Sequence, residues 1–312
     1  MSDQLRTFEK LMVANRGEIA IRVLRAASEL RLRTVAIYTY EDRYSLHRYK
    51  ADEAYQVGAN DDPLKPYLDI EAILKVVKGH SVDAIHPRYG FLSENVTFAR
   101  RCREEGIAFV GPDPEVMERL GDKVAAKVLA REVDVPLIED SQEPLTDEKV
   151  ALREAQRIGY PVIIKAASGG GGRGMRVARS DEDLQHEFSE AKGEAHTAFG
   201  DDTVFLEKFI EEPKHIEVQL LGDRLGNIVH LYERDCSVQR RFQKVVEVAP
   251  STGLSEETRN TLYDYAVAIG KHVGYNNAGT VEFLYDTDRQ EFYFIEVNAR
   301  IQVEHPVSEL IS

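Results

Sequence analysis

The stretch FIEVNARIQVEHP, residues 294–306, places polar side chains at every second position: Glu296, Asn298, Arg300, Gln302 and Glu304. Successive side chains of a strand alternate faces. A strand running through this stretch therefore presents those five together and turns Ile295, Val297, Ile301 and Val303 mainly toward a core. An ordinary solvated strand face mixes Lys, Thr and Ser, and this one does not; the plainer alternative is an exposed hairpin face. Glu282, in GTVEFLY, is expected on the antiparallel neighbour. Two carboxylates and an amide oxygen are hard donors that suit Mg2+, which takes few protein ligands and completes its shell with water and phosphate oxygens.

KAASGGGGRGMRV, residues 165–177, is a second chemical feature. GGGGRG matches the spacing G-x-G-x-x-G, but a dinucleotide loop must open a helix, and MRVAR is a strand pattern. The P-loop is excluded because no GK[ST] follows. A hairpin loop remains, made of backbone N–H groups that form a concavity for anions. Arg173 adds a charge able to pair with phosphate, and Lys165 ends the apolar run PVIIK where it can reach into a site. Such a loop serves as a lid that orders over phosphates; a solvated hairpin is the alternative. Taken singly, Lys123 in GDK, Lys244 in RRFQK, Arg240 and Arg241 read as solvated charges. His215 and Glu217 read as a pair on a strand rim, Cys236 as a small packed residue, and His86 as a capping or packing group.

These groups need a scaffold. Residues 10–15, 33–39, 54–58, 83–87 and 107–112 read as strands, with helical spacing after Gly17 and near 68–79 and 94–106. This alternation predicts a doubly wound parallel sheet over 1–112, whose ligands sit at the carboxyl ends of the strands. NRGE and HPRYGFLSEN occupy that rim. Residues 113–133 read as linking helix. A second unit has a helix near 146–158, strands 161–167 and 175–179 flanking the glycines, a helix from Asp181 and a strand at 203–210. The remainder is strand-rich (215–223, 226–235, 279–286, 291–300) with one helix near 255–273.

Length and composition agree with a multi-domain globular protein: 312 residues, 43% hydrophobic, 30% charged. A net charge of −14 lacks the basic footprint of a nucleic-acid binder. No apolar run approaches the roughly 20 residues of a membrane span. The first residues read as neither signal nor transit peptide, and two distant cysteines suggest neither disulfide nor zinc. The expectation is a cytoplasmic protein, with no nucleic acid and no membrane as partners.

VANRGEIAIRV, KADEAYQVG, IHPRYGFLSEN, GDKVAAK, PVIIKAASGGGGRGMRV, EKFI, HIEVQ, ERDCSVQRR, QKVVE, AGTVEF and FIEVNARIQVEHPVSE together span residues 10 to 309. They resemble the biotin carboxylase component of biotin-dependent carboxylases, an ATP-grasp enzyme. HRYKADEAYQVG and HLYERDCSVQRR are most similar to the version at the amino end of pyruvate carboxylase, with acyl-CoA carboxylase subunits as close competitors. The resemblance implies an α/β fold, α+β in its later part: an N-terminal Rossmann-like domain (1–112), linking helices (113–135), an ATP-grasp lid (136–205) and a central ATP-grasp subdomain (206–312), incomplete at its C-terminal end. It implies ATP- and bicarbonate-dependent carboxylation of biotin through carboxyphosphate.

By motif, Lys123, Lys165, Gly169, Gly170, Gly171, Gly172, Glu207, Lys208, His215, Gln239, Glu282 and Glu296 are expected to hold ATP. Glu282, Glu296 and Asn298 are expected to hold two Mg2+ or Mn2+ ions. Lys244, Arg300, Gln302 and the Val303 backbone are expected to bind bicarbonate, with Glu304 as general base and Arg300 and Lys244 completing the catalytic set. No methionine sits in an M-K-M site, so biotin is expected on another domain or chain, with the rest of the carboxylase as partner and a homo-oligomer weakened by truncation. Three departures from the family pattern stand out: Phe242 where RRHQK has histidine, Arg88 where HPGYG has glycine, and an end at Ser312. Other readings are an ATP-grasp carboxylate–amine ligase, a carbamoyl-phosphate-type enzyme, or an inactive nucleotide-binding module.

Overall fold

A computed structural model of the chain describes residues 8–59, 62–167, 175–241 and 243–312. The glycines 169–172, Arg173 and Phe242 lie outside the described residues, and so does the side chain of Lys123. The first unit runs β1 (Lys10–Val13), α1 (Gly17–Glu29), β2 (Arg33–Tyr38), α2 (Leu46–Lys50), β3 (Glu53–Gln56), α3 (Ile70–Gly79), β4 (Ala84–His86), α4 (Val96–Glu104) and β5 (Ala108–Phe109). Its sheet is parallel in the order β3-β2-β1-β4-β5. Alternation splits β1 between two cores: Met12 packs on one face with Ile37 and Ile85, while Leu11 and Val13 pack on the other with Val23 and Leu24 of α1. Both faces are covered, as a parallel sheet requires.

The link consists of α5 (Pro114–Gly121) and α6 (Lys123–Glu132), separated at Asp122, whose carboxylate caps α6 by accepting from the Ala125 N–H. Then come α7 (Glu148–Ile158), β6 (Val162–Ala166), β7 (Arg176–Ala178), α8 (Asp181–Phe199) and β8 (Val204–Lys208). An antiparallel sheet of order β7-β6-β8 packs on α7 and α8 through Ile164, Leu184, Phe188 and Leu206. The strand β8 straddles position 206, at which the sequence reading starts its central subdomain, yet β8 pairs with β6 over its whole length.

The last unit contains β9 (Lys214–Gly222), β10 (Ile228–Arg240), β11 (Gln243–Val248), α9 (Glu256–Val273), β12 (Asn277–Asp286), β13 (Glu291–Asn298) and α10 (His305–Glu309). Its antiparallel sheet has the order β11-β10-β9-β12-β13. Ile216, Val218, Leu220, Val281 and Phe283 face a core shared with Leu262, Ala266 and Ile269 of α9 and with α5 and α6. The opposite face of the same strands carries buried polar groups: Glu217, Gln219, Thr280 and Glu282. The fold is thus α/β in its first part and antiparallel later, as the sequence implies.

Two expectations are corrected. The strand β11 was not anticipated, because QKVVEV is mostly exposed edge strand and carries no buried alternation. The strand β13 stops at Asn298 and does not run through to Glu304; residues 299–304 turn into α10. Val303 therefore does not join the core and is 63% exposed, and Ile295, inside β13, is only half-buried.

A carboxylate row on the polar face of the antiparallel sheet

The alternation of β13 is reset once. Glu282 lies opposite Glu296, but Phe283 lies opposite Phe294, which leaves Ile295 as an inserted residue. A bulge of this kind shifts the facing of everything beyond it. Phe292 and Phe294 face the core before the bulge; Val297 and Ala299 face it afterwards. Glu296 and Asn298 are thereby turned to the polar face, which an unbroken strand beginning at Phe292 would not do.

Ladder registry then aligns one residue from each strand. Arg234 of β10 pairs with Glu217 of β9, Glu217 with Glu282 of β12, and Glu282 with Glu296 of β13. Three glutamates thus stand side by side across three strands. Like charges directly opposite one another are destabilising, and cations offset them here. The Lys244 ammonium, from the exposed strand β11, pairs with Glu217, with Glu282 at 2.9 Å and with Glu304 at 2.7 Å. Burial alone would push Lys244 down, but Glu217 and Glu282 raise it well above the usual lysine range.

Arg234 is fully buried and uses every N–H. Its Nε donates to Glu217 at 2.6 Å, Nη1 to Gln219 at 2.9 Å and Ser308 at 2.7 Å, and Nη2 to Gln302 at 3.0 Å and Thr280 at 3.3 Å. A buried guanidinium is tolerable only with its donors satisfied in this way. Because Arg234 takes the Gln302 Oε1, the Gln302 amide group faces Glu282 and donates at 2.8 Å.

Glu282 is the hub. Its Oε1 accepts from Lys244, from Asn298 Nδ2 at 2.8 Å and from Gln302; its Oε2 meets His215 Nε2 at 2.8 Å. Burial would raise its pKa, yet the His215 hydrogen bond and the Lys244 charge hold it far below the usual carboxylate range. Gln239 Nε2 donates to His215 Nδ1 at 3.0 Å, so the network assigns the Nε2–H tautomer to His215. Arg300 joins through Asn298, donating from Nη2 to Oδ1 at 2.9 Å, while its Nε donates to Glu94 at 2.8 Å.

The expected residues His215, Gln239, Lys244, Glu282, Asn298, Gln302 and Glu304 therefore form one connected network, with Arg300 at its edge and Glu296 in the same row. A second group is separate: Glu207 of β8 pairs with Lys165 of β6 and with Lys127 at 3.0 Å, and Lys127 also reaches Asp140 at 2.9 Å. Burial works against the charge of Glu207, but the two lysines keep its pKa lowered. Lys208 goes elsewhere. It follows Glu207 on the strand, and its ammonium caps the carbonyls of Gly159 (2.8 Å) and Tyr160 (2.7 Å). The sequence reading missed Arg234 and underrated Glu217. The available signal was spacing: Glu217 holds the same parity in HIEVQ as Glu282 does in TVEF, each flanked by core residues.

The donor set suits a hard cation. Carboxylate oxygens of Glu282 and Glu296 and the Asn298 amide oxygen are all ligands that Mg2+ takes. The network already concentrates three carboxylates, Glu217, Glu282 and Glu304, around one ammonium.

Comparison with known proteins agrees with this geometry. Residues 7–117 match the family model "Biotin carboxylase, N-terminal domain", and residues 122–312 match "Carbamoyl-phosphate synthase L chain, ATP binding domain". Pyruvate carboxylase of Bacillus subtilis is 56% identical over all 312 residues, and the chain spans 27% of that relative's length. A biotin carboxylase complex from Campylobacter jejuni superposes with TM-score 0.89 at 45% identity, over 98% of this chain and 68% of that one. The biotin carboxylase domain of Hydrogenobacter thermophilus 2-oxoglutarate carboxylase, solved with MgADP, ADP and bicarbonate, gives TM-score 0.88 at 49% identity, over 99% and 67%. With a matching fold, a matching N-terminal module and these identities, the chain belongs to the biotin carboxylase family.

Proposed function

We propose that this chain carboxylates biotin carried on another domain or chain, using ATP and bicarbonate, as the first half-reaction of pyruvate carboxylase. The observation that carries this reading is the convergence of Glu282, Asn298, Lys244, Gln302 and Glu304 on the polar face of one sheet. Glu282, Glu296 and Asn298 would hold two Mg2+ or Mn2+ ions, whose chemistry is to neutralise the triphosphate and align its γ-phosphoryl group. The remaining phosphate contacts fall to Lys123, Lys165 and the glycines 169–172. Glu207, His215 and Gln239 would contribute to the nucleotide site. Lys208 would serve it through its strand position, since its ammonium is engaged at the end of α7.

Lys244, Arg300, Gln302 and the backbone of Val303 would seat bicarbonate. Arg300 offers a planar fork to a planar anion. Glu304 would take the bicarbonate proton as an oxygen of that anion bonds to the γ-phosphorus and ADP leaves. Carboxyphosphate then divides into CO2 and phosphate, and CO2 adds to the biotin ureido nitrogen as the N–H proton passes to the released phosphate. Holding the reactants in line supplies much of the rate. In this reading Arg234 acts by fixing Gln302 and Glu217. Partners would be the biotinylated carrier and the remainder of a carboxylase, in a cytoplasmic setting. Glu304→Gln tests the assignment: bicarbonate-dependent ADP formation is lost and MgATP binding is retained. Full turnover in that variant removes Glu304 from the base role. ADP formation driven by an amine, indifferent to bicarbonate and biotin, would replace the whole reading with an amine-ligase one.

A further inference from the structure

Glu207 sits between two lysines that come from different parts of the fold. Lys165 belongs to β6, the strand beside β8 in the same sheet, and its ammonium meets the Glu207 Oε2. Lys127 belongs to α6, one turn into that helix, and donates to Oε1 at 3.0 Å. Its helix neighbours Ala126, Leu129 and Ala130 are buried in the core under the five-stranded antiparallel sheet. The Lys127 ammonium also donates to Asp140 at 2.9 Å. Residues 139–141 run beside β8: the Ser141 N–H donates to the Leu206 carbonyl at 2.9 Å, and the Lys208 N–H donates to the Glu139 carbonyl at 2.8 Å. Lys127 thus ties α6 both to β8 and to the segment that borders it.

The two lysines are not equivalent. Lys127 is held by two carboxylates and Lys165 by one. The Lys165 side chain is also the more open of the two, 37% exposed against 29%. Glu207 itself is 9% exposed, and burial favours its protonated form; the lysines keep it ionised. One ammonium cannot serve a buried carboxylate and a phosphate at full strength together. When Lys165 turns to a phosphate, Glu207 must keep another cation, because a buried charge stripped of its partner is strongly destabilising. Among the described residues, Lys127 is the other cation paired with it.

We propose, on the reading in which Lys165 meets the phosphates of the nucleotide, that Lys127 is a positioning residue: the standing counter-charge of Glu207, which releases Lys165 to bind phosphate. Lys127 acts through Glu207 and Lys165 and does not itself touch the nucleotide.

Calorimetric titration of the whole chain with MgADP and with adenosine tests this, since only the first carries phosphate and neither turns over. In Lys127→Met the charge of Glu207 falls to Lys165 alone, and the preference for MgADP over adenosine drops about tenfold, the order of one charged hydrogen bond. Lys127→Arg keeps the preference. Lys127→Met combined with Glu207→Gln recovers it, because an amide needs no counter-charge; a general loosening of the site is not repaired by a second substitution. An equal fall for both ligands in Lys127→Met, or an unchanged preference, overturns the proposal and leaves the nucleotide reading standing. An unsubstituted chain that binds MgADP no better than adenosine removes the phosphate role of Lys165, and the proposal falls with it. Should Lys127→Met fail to fold, a crystal structure of the unsubstituted chain with MgADP decides. Lys165 on a phosphate oxygen with Lys127 still on Glu207 supports the proposal; Lys165 still on Glu207 overturns it.

Discussion

Replacing Lys244 with methionine removes one ammonium from between three carboxylates and keeps most of the volume. Glu217 retains Arg234, and Glu282 retains His215, Asn298 and Gln302, but Glu304 loses its ion pair. Stripping one partner from a buried charge cluster costs about 3–5 kcal/mol. The Lys244 side chain is 18% exposed, so water softens the loss, and about 3 kcal/mol at neutral pH is expected. Glu282 is depressed in the folded protein, so its contribution is present above its ordinary 4.5 and fades as pH falls toward its folded value. Lys244 is raised, so its contribution is complete below its ordinary 10.5 and fades only at higher pH. Both are intact at neutral pH. In Lys244→Met the unneutralised carboxylates bind protons more tightly, so the variant approaches the original stability as acid is added. Urea denaturation of both proteins at pH 7 and pH 4.5 measures this, and Mg2+ should return part of the neutral-pH loss. An equal deficit at both pH values, untouched by Mg2+, would mean that packing and not charge is responsible.

Glu282→Gln should weaken the dependence of nucleotide binding on Mg2+ by about ten- to hundred-fold, read by calorimetric titration of ATP at varied Mg2+. Arg234→Met should destabilise by about 3–5 kcal/mol, because Glu217 and Gln302 are left buried without their partner; a neutral result in urea denaturation would deny it that role. Glu207→Gln should reduce stability most above pH 4.5 and little in acid: the folded Glu207 is depressed by Lys165 and Lys127, so its contribution disappears as pH falls.

Much of the architecture could be read in advance because burial writes a period into the chain. KLMVAN and RTVAIYT carry unbroken apolar runs, Leu11–Ala14 and Val35–Tyr38, as strands covered on both faces do, and HIEVQL alternates. Site residues in HIEVQ, GTVEF and FIEVN were accessible for the same reason. What was hidden depends on contacts between distant residues. The Ile295 bulge leaves no local mark, so the facing of Glu296 came out right although the alternation assumed for it was too simple. Residues 299–304 alternate polar and apolar, yet the chain turns there and reaches Pro306 in the first turn of α10. Arg234 reads as a surface charge until the five acceptors from β9, β12, the 302 turn and α10 are assembled around it. Lys208 looks equivalent to Glu207 as a site residue, but neighbours on a strand face opposite ways, and its ammonium serves α7.

The central claim is that the carboxylate row and Lys244 serve a reaction between ATP and bicarbonate. It is tested most directly by ADP release from MgATP with bicarbonate and free biotin omitted in turn, on this chain and on one extended past Ser312. The account predicts ADP formation that requires bicarbonate and vanishes with Glu304→Gln. ADP release at the same rate with bicarbonate removed would contradict it.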